Sequence, residues 1–424
     1  MTEEADPELL LAQGRIAEAE DACERRLQNS PDDIAALKIA GLGALRRALP
    51  GRAIVLLERA ARIAPDDSLT LHHLGRAREA GGDLEGALAA DEAAVRADPA
   101  HAAARLFYAK GLERQGRPEE ALLQFTRALK DAQRDGLWLD AAGTPEPLRP
   151  LVEHAVLAVR RGRRAAFELL LGPLKRRYGA AALGRVEAAI RIYIGEQAPQ
   201  YPDARQRPTF FYIPGLPTAP YFDRRLFAWI GAYEAALPAI LEELQALLPG
   251  ERGRERVFGS DALEEENLRG QYGQPSWNGY YFYRYGVRRD DNCSACPVTA
   301  AMLDSLPLIR IREHGPEVLF SVFTPGTQLL PHRGVTNARA VSHLPLLVPP
   351  DCALEVGGEQ HVWRKGRVVV FDDTYEHQAW NRSPEVRVVL IADIWNPHLT
   401  DAETAAITDV IGKIGDMRID LESS

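Results

Sequence analysis

The sequence predicts a multidomain α plus β chain: a helical repeat array first, then an all-β sandwich or barrel. Three observations predict it. The first third is self-similar at a 34-residue step, a Gly- and Pro-rich break follows, and the hydrophobic period falls to two from Val318 onward. At 424 residues the chain exceeds a single domain of ~150. With 46% hydrophobic and 26% charged residues it has ordinary globular composition. A net charge of -9 without a long basic run argues against a nucleic-acid partner. No stretch reaches the ~20 apolar residues that cross a bilayer, so no membrane partner is expected. The acidic start, MTEEADPELLLAQGR, is unlike a secretory leader, and the four cysteines are too scattered for a disulfide framework. A reducing, cytoplasmic setting is the expectation.

The array is read from columns in one register. Pro31, Pro65 and Pro99 are 34 residues apart, as are Ala19, Ala53, Ala87 and Ala121. Leu27, Ala61, Val95 and Leu129 keep the same step, and so do Gly41, Gly75 and Ala109. The step and the small-residue and proline pattern resemble tetratricopeptide repeats. Small residues let paired helices approach, and the prolines are expected to open the following helix. Asp66 and Asp67 put negative charge near a helix N-terminus, where the macrodipole favours it. Units over residues 6–132 should stack into a short solenoid, each burying its apolar face against its neighbours. His72 and His73 are adjacent, which on a helix points them ~100° apart, a poor chelate. They are read as surface or packing residues.

Residues 133–205 are expected to hold connecting helices, and QAPQYPDARQRP reads as a linker ending near Pro208. The third region, 206–424, opens with aromatic, Pro-studded sequence and a helix expected over Arg224 to Leu248. VLFSVF, SHLPLLV, CALEV, RVVVF and VRVVLIADIW then read as short strands, and Thr400 to Met417 as a terminal helix.

The chemistry concentrates late. Six of the ten histidines fall between His314 and His398. His332 lies in PGTQLLPHRGVTN and His377 in VVVFDDTYEHQAWN, 45 residues on. Two histidines and one carboxylate hold Fe(II) in many oxygenases, the carboxylate two residues after the first histidine. Here that place is Gly334, so spacing alone counts against a complete metal site.

The motifs settle which way to read it. PGT, PHRG and TN (325–337), HL with VP (343–349), W with G and FDD (363–373), EH with W and N (376–381), and R…L…D.W.P (387–397) resemble the aspartyl/asparaginyl β-hydroxylase family of Fe(II)/2-oxoglutarate oxygenases. PGLPTAPYFD and WNGYYFYRYG resemble its lead-in, so the likeness spans roughly 206–400. It implies a C-terminal double-stranded β-helix of jelly-roll, cupin-like type behind the tetratricopeptide solenoid. In that family a glycine stands where the carboxylate would be, which is what Gly334 matches. The resemblance implies His332 and His377 as iron ligands, and Arg387 with Ser321 on the distal carboxylate of 2-oxoglutarate. It implies His343 near the proximal carboxylate, with O2 as the further cosubstrate. Arg387 shares a strand face with Val389 and Ile391, and a buried guanidinium needs an anion. Animal members carry an arginine where this chain has Val341; Arg339, two residues earlier, is the candidate replacement.

The implied activity is hydroxylation at the β-carbon of Asp or Asn in a peptide or protein recruited by the array. Two alternatives stay open: hydroxylation of a free or carrier-bound amino acid, and a catalytically silent scaffold. Asp372 and Asp373 are read as structural, Asn337 and Trp380 as holding loops. Cys293 and Cys296 form a single CxxC without the second pair a zinc ribbon needs, and are read as ordinary thiols. The run Tyr280 to Tyr285 is read as a barrel strand.

Overall fold

The computed structural model describes residues 6–248, 253–257, 268–270 and 276–422. The chain divides into two compact units, Met1–Arg163 and Arg164–Ser424. Among the described residues no helix is long and apolar enough to cross a membrane.

Eight helices build the first unit's array: α1 (Pro7–Ala12), α2 (Ile16–Asn29), α3 (Ile34–Arg46), α4 (Pro50–Ile63), α5 (Ser68–Ala80), α6 (Leu84–Ala97), α7 (Ala102–Arg114) and α8 (Pro118–Arg134). α2, α4, α6 and α8 begin 34 residues apart, as do α3, α5 and α7, so the sequence period is the structural one. Small residues sit at the closest approaches. A Cβ on Gly41 would come within 2.7 Å of Leu57 Cγ, and one on Gly75 within 2.8 Å of an Asp91 carboxylate oxygen. Ala19, Ala53, Ala87 and Ala121 are all buried.

The prolines act differently from the expectation. Pro31, Pro65 and Pro99 each follow the residue that ends a helix (Ser30, Ala64 and Asp98), so they stop one helix and do not open the next. Pro7, Pro50 and Pro118 are the helix-opening ones. Asp33 caps α3 by accepting from the Ala36 N–H at 3.0 Å. Asp67, at the same place before α5, instead takes Lys38 at 2.6 Å and the Thr70 hydroxyl. His72 is buried, its Nδ1 3.1 Å from Asp91.

The division falls within helix α9 (Arg149–Tyr178). Its first half gives Val152, Ala155 and Val159 to the core around Phe125 and Leu129. Its second half gives Phe167 and Leu171 to a different core, shared with Ile190, Phe211 and Ile407.

In the second unit α10 (Gly184–Tyr193) precedes a helical region that is less continuous than predicted. A single turn of 3₁₀ helix at Arg224–Leu226 leads to α11 (Ile230–Ala235) and α12 (Leu237–Leu247), separated at Ala236. Pro238 falls in the first turn of α12, where its missing N–H costs no bond. α13 (Asp290–Ala295), α14 (Pro297–Asp304) and α15 (Asp401–Glu422) are the other α-helices of this unit among the described residues.

Among the described residues twelve strands form two antiparallel sheets: β1 (Arg254–Arg256), β2 (Leu268–Gly270), β3 (Trp277–Arg284), β4 (Val287–Arg288), β5 (Val318–Phe323), β6 (Thr327–His332), β7 (Arg339–Leu347), β8 (Cys352–Val356), β9 (Glu359–Val362), β10 (Val369–Phe371), β11 (His377–Asn381) and β12 (Arg387–Trp395). The larger runs β1-β3-β5-β12-β7-β10 with β4 beside β3; the smaller runs β2-β6-β11-β8-β9. From β5 to β12 the chain alternates between sheets, with β8 and β9 the only consecutive pair in one sheet. This is the winding of a double-stranded β-helix. Such winding places strands distant in sequence side by side, which is how β6 comes to pair with β11.

Strand alternation sorts the side chains. Val388, Leu390, Ala392 and Ile394 of β12 pack outward against Ile230, Tyr233, Ile240 and Leu303 of the helices. Val389 and Ile391 point between the sheets, with Phe323, Leu329, Val341, Leu354 and Phe371. Cys293 and Cys296 are buried free thiols under this fold.

Candidate active site

His332 ends β6 and His377 opens β11, and the two are direct register partners. Their ring centres lie 4.1 Å apart. His332 Nδ1 donates to the Leu330 carbonyl at 2.9 Å, and His377 Nδ1 to the Tyr375 carbonyl at 3.1 Å. A carbonyl accepts only from N–H, so each neutral ring carries its proton on Nδ1 and its lone pair on Nε2. Burial holds both rings below the ordinary histidine range, His377 at about 4 with His332 adding to the effect. Two neutral imidazoles with lone pairs on the same type of nitrogen are therefore juxtaposed at neutral pH.

Gly334 follows His332 by two residues. Its N–H donates to the Asp373 carbonyl at 2.6 Å, and a Cβ there would overlap the Asp373 carboxylate. Among the described residues no group of three or more His, Cys, Asp or Glu gathers as a metal cluster. The two imidazoles therefore stand side by side with an Nε2 lone pair each.

Arg387 is 1% exposed at the start of β12, on the parity that faces between the sheets. Its Nη1 donates to Ser321 Oγ at 3.0 Å and to the Ser321 carbonyl at 3.3 Å. Trp277 Nε1 also donates to Ser321 Oγ, at 2.9 Å, leaving that hydroxyl proton free to be offered elsewhere. The guanidinium carbon lies 4.0 Å from the Phe323 ring centre and 4.5 Å from that of Trp363. Burial lowers Arg387 from its ordinary value to about 9. No carboxylate among the described residues pairs with it.

His343 sits on β7 opposite Ile391 of β12 and Val369 of β10. Its ring stands edge-on to Phe371 at 4.9 Å. Burial, then the charge of Arg387, holds it well below the ordinary histidine range. Arg339, the candidate for the cosubstrate's proximal carboxylate, is engaged within the chain: it pairs with Asp373 and, at 3.0 Å, with Asp393. Burial opposes its charge, but these two carboxylates outweigh it and raise Arg339 above its ordinary value. Val341 lies in the intersheet apolar cluster.

The expected linker does more than connect. Arg207 N–H donates to the Thr374 carbonyl at 2.9 Å, and Phe211 N–H to the Val335 carbonyl at 2.9 Å. Asn337 accepts from the Ile213 N–H at 2.7 Å and donates to the Ile213 carbonyl at 2.9 Å. Gln206 donates to Asp372 at 2.6 Å. Asp372 in turn accepts from the Thr374 N–H at 2.9 Å and from its hydroxyl. Residues 206–213 thereby lace together the loops that follow His332 and precede His377. Trp277, Phe323, Trp363, Asp373 and Asp393 also belong to this site, and the sequence reading did not place them there. Phe323 and Asp393 share strand parity with Ser321 and Arg387, so alternation could have found them. Trp277 and Trp363 fall in the quoted motifs WNGYYFYRYG and W with G and FDD, but the sequence does not say that they touch Ser321 and Arg387.

Residues 234–397 match the family described as Aspartyl/Asparaginyl beta-hydroxylase. The second unit carries a domain of that family. The chain is 32% identical over 239 residues to human "Aspartate beta-hydroxylase domain-containing protein 2", covering 55% of this chain and 62% of that protein. The Xenopus tropicalis protein of the same name is 30% identical over the same shares. Human "Aspartyl/asparaginyl beta-hydroxylase" is 32% identical over 145 residues, covering 34% of this chain and 19% of its own. The chain thus spans about 62% of the first two relatives. Among solved structures, "MamA 41-end from Desulfovibrio magneticus RS-1" is similar at 22% identity and a TM-score of 0.29, over 30% of this chain and 72% of that one. In this β-hydroxylase-family domain, the motif residues His332, His377, Ser321, Arg387 and His343 all lie on strands that line or border the intersheet space.

Proposed function

We propose that the β-hydroxylase-family domain is an Fe(II)- and 2-oxoglutarate-dependent hydroxylase. Its target is an unactivated carbon, the β-carbon of an aspartyl or asparaginyl residue in a peptide or protein recruited by the helical array. One observation carries this reading: a buried guanidinium with no acid partner among the described residues shares the intersheet space with two imidazoles whose Nε2 lone pairs are free. An anion and a metal ion are the two groups those features lack.

His332 and His377 would hold the metal through Nε2. Arg387 and the Ser321 hydroxyl would hold the distal carboxylate, the planar guanidinium fork suiting that geometry. When bound, iron and 2-oxoglutarate supply the oxidising step, in which O2 gives one oxygen to succinate and one to the substrate carbon as carbon dioxide leaves. The chain's own contribution is placement. The carbonyls of Leu330 and Tyr375 fix the ring tautomers, and Asp373 fills the hollow at Gly334 so that no third side chain enters. Neutral His343 adds no charge beside the metal pair. Arg339, neutralised by Asp373 and Asp393, holds the Gly334 hollow in shape.

The test is succinate release from 2-oxoglutarate by the full chain with added Fe(II), with mass spectrometry of candidate peptides for one added oxygen. Succinate from the intact protein and none from His332→Ala is expected. Absence of succinate, or equal amounts from both proteins, overturns the proposal.

A further inference from the structure

Three buried polar atoms in one neighbourhood have no hydrogen-bond partner among the described residues: Arg387 Nε, Trp363 Nε1 and His343 Nδ1. The Trp363 ring centre lies 4.5 Å from the Arg387 guanidinium carbon and 5.8 Å from the His343 ring centre. Trp363 is 4% exposed and packs in the intersheet cluster with Leu354, Val369 and Phe371. Packing alone asks only for an apolar ring there. An enclosed indole N–H is donor-only, and a buried donor without an acceptor is rare in folded proteins and calls for a reason. Beside it stands a cation that also keeps an unused N–H. Two unused donors in contact with each other, one of them carrying the positive charge, suit an anionic acceptor with more than one oxygen.

We propose that Trp363 is a ligand-binding residue. Its indole N–H donates to the distal carboxylate of 2-oxoglutarate held by Arg387 and Ser321, while its ring face stacks on the guanidinium and keeps it planar to that carboxylate. This assignment rests on the cosubstrate reading above. The two contributions separate by substitution: Trp363→Phe keeps a ring face and removes the donor. Trp363→benzothienylalanine, isosteric with tryptophan, removes the N–H alone and guards against misfolding.

The experiment is isothermal titration of the full chain, loaded with Mn(II) under anaerobic conditions, with 2-oxoglutarate and separately with oxalate. Oxalate offers a metal two oxygens but has no distal carboxylate. Both variants are expected to bind 2-oxoglutarate about tenfold more weakly than wild type, the size of one hydrogen bond to a charged group. Their oxalate affinity should stay within about twofold. Unchanged 2-oxoglutarate affinity in both variants overturns the assignment. Equal loss for both ligands also overturns it, since that marks a structural role. If the wild-type protein binds oxalate but not 2-oxoglutarate, the cosubstrate reading itself falls and the assignment with it.

Discussion

The N–H of Gly334 donates to the carbonyl of Asp373 at 2.6 Å, and the Asp373 carboxylate fills the space a side chain at 334 would need. One loop follows His332, the other precedes His377, so this contact ties the two histidine-bearing segments together. Gly334→Asp would write the commoner His-x-Asp pattern into the sequence. It should nevertheless fail to supply a third ligand, because the new carboxylate meets another one in the hollow. The expected result is a loss of about 1–3 kcal/mol of stability from overpacking, with no gain in metal affinity. Gly334→Asp combined with Asp373→Gly should recover most of the melting temperature. Thermal unfolding and Mn(II) titration of both variants check this. A stable single variant that binds metal more tightly would show that the hollow is not closed.

Arg387 makes a prediction of opposite signs for stability and binding. Its charge is buried with no carboxylate partner among the described residues, so Arg387→Met removes a desolvated cation as well as an anion site. The ligand-free protein should melt no lower than wild type, while 2-oxoglutarate affinity falls by at least tenfold. Arg387→Lys keeps a charge but loses the planar fork, and should fall between the two in affinity. Differential scanning calorimetry beside equilibrium titration reads both quantities.

His332 and His377 give the metal-free protein a defined acid response. Both are depressed by burial, His377 to about 4, against an unfolded value near 6.5. A depressed histidine leaves the unfolded chain binding more protons than the folded one between those values. Stability from this source is therefore complete above about pH 6.5 and falls as the pH drops toward 4. Metal-free protein should lose melting temperature over that interval, and His377→Gln should flatten the slope. A slope unchanged by His377→Gln, measured from pH 7.5 to 4.5, would place the response elsewhere.

Much of this arrangement was legible in the sequence, for physical reasons that can be named. The array was readable because a 34-residue step must repeat its small residues wherever helices meet, as Gly41 and Gly75 do against Leu57 and Asp91. The strands were readable because β12 puts Val388, Leu390 and Ala392 on one face and Arg387, Val389 and Ile391 on the other. The prolines were misplaced because a proline after a helix and one at its start look alike without the cap residue. The predicted helix from Arg224 was too long because apolar periodicity does not register the break at Ala236. What stayed hidden is tertiary. Trp277 reaches Ser321 through the pairing of β3 with β5, and Trp363 reaches Arg387 across the space between the sheets; the motifs contain both tryptophans, but no local pattern says what they touch. Arg339 looked available because its two carboxylates, Asp373 and Asp393, lie 34 and 54 residues away. The apparent linker looked like a spacer because its partners, Asp372, Thr374 and Val335, lie more than 120 residues away, which composition cannot show.

That segment makes the last prediction. Asn337 is 1% exposed and spends its side chain on both backbone groups of Ile213. Asn337→Ala would leave a buried N–H and a buried carbonyl unpaired, at a cost of about 1–3 kcal/mol for each group left unsatisfied. Asn337→Asp still accepts from the Ile213 N–H but no longer donates to its carbonyl, and should cost less. Because residues 206–213 bond to the loops beside both histidines, the damage should spread to the metal site. Hydrogen exchange is expected to speed up at 333–337 and 372–377, and Mn(II) affinity to fall in the order wild type, Asp, Ala. A loss of stability without faster exchange in those two loops would mean that the strap braces the fold but leaves the histidines in place on their own strands.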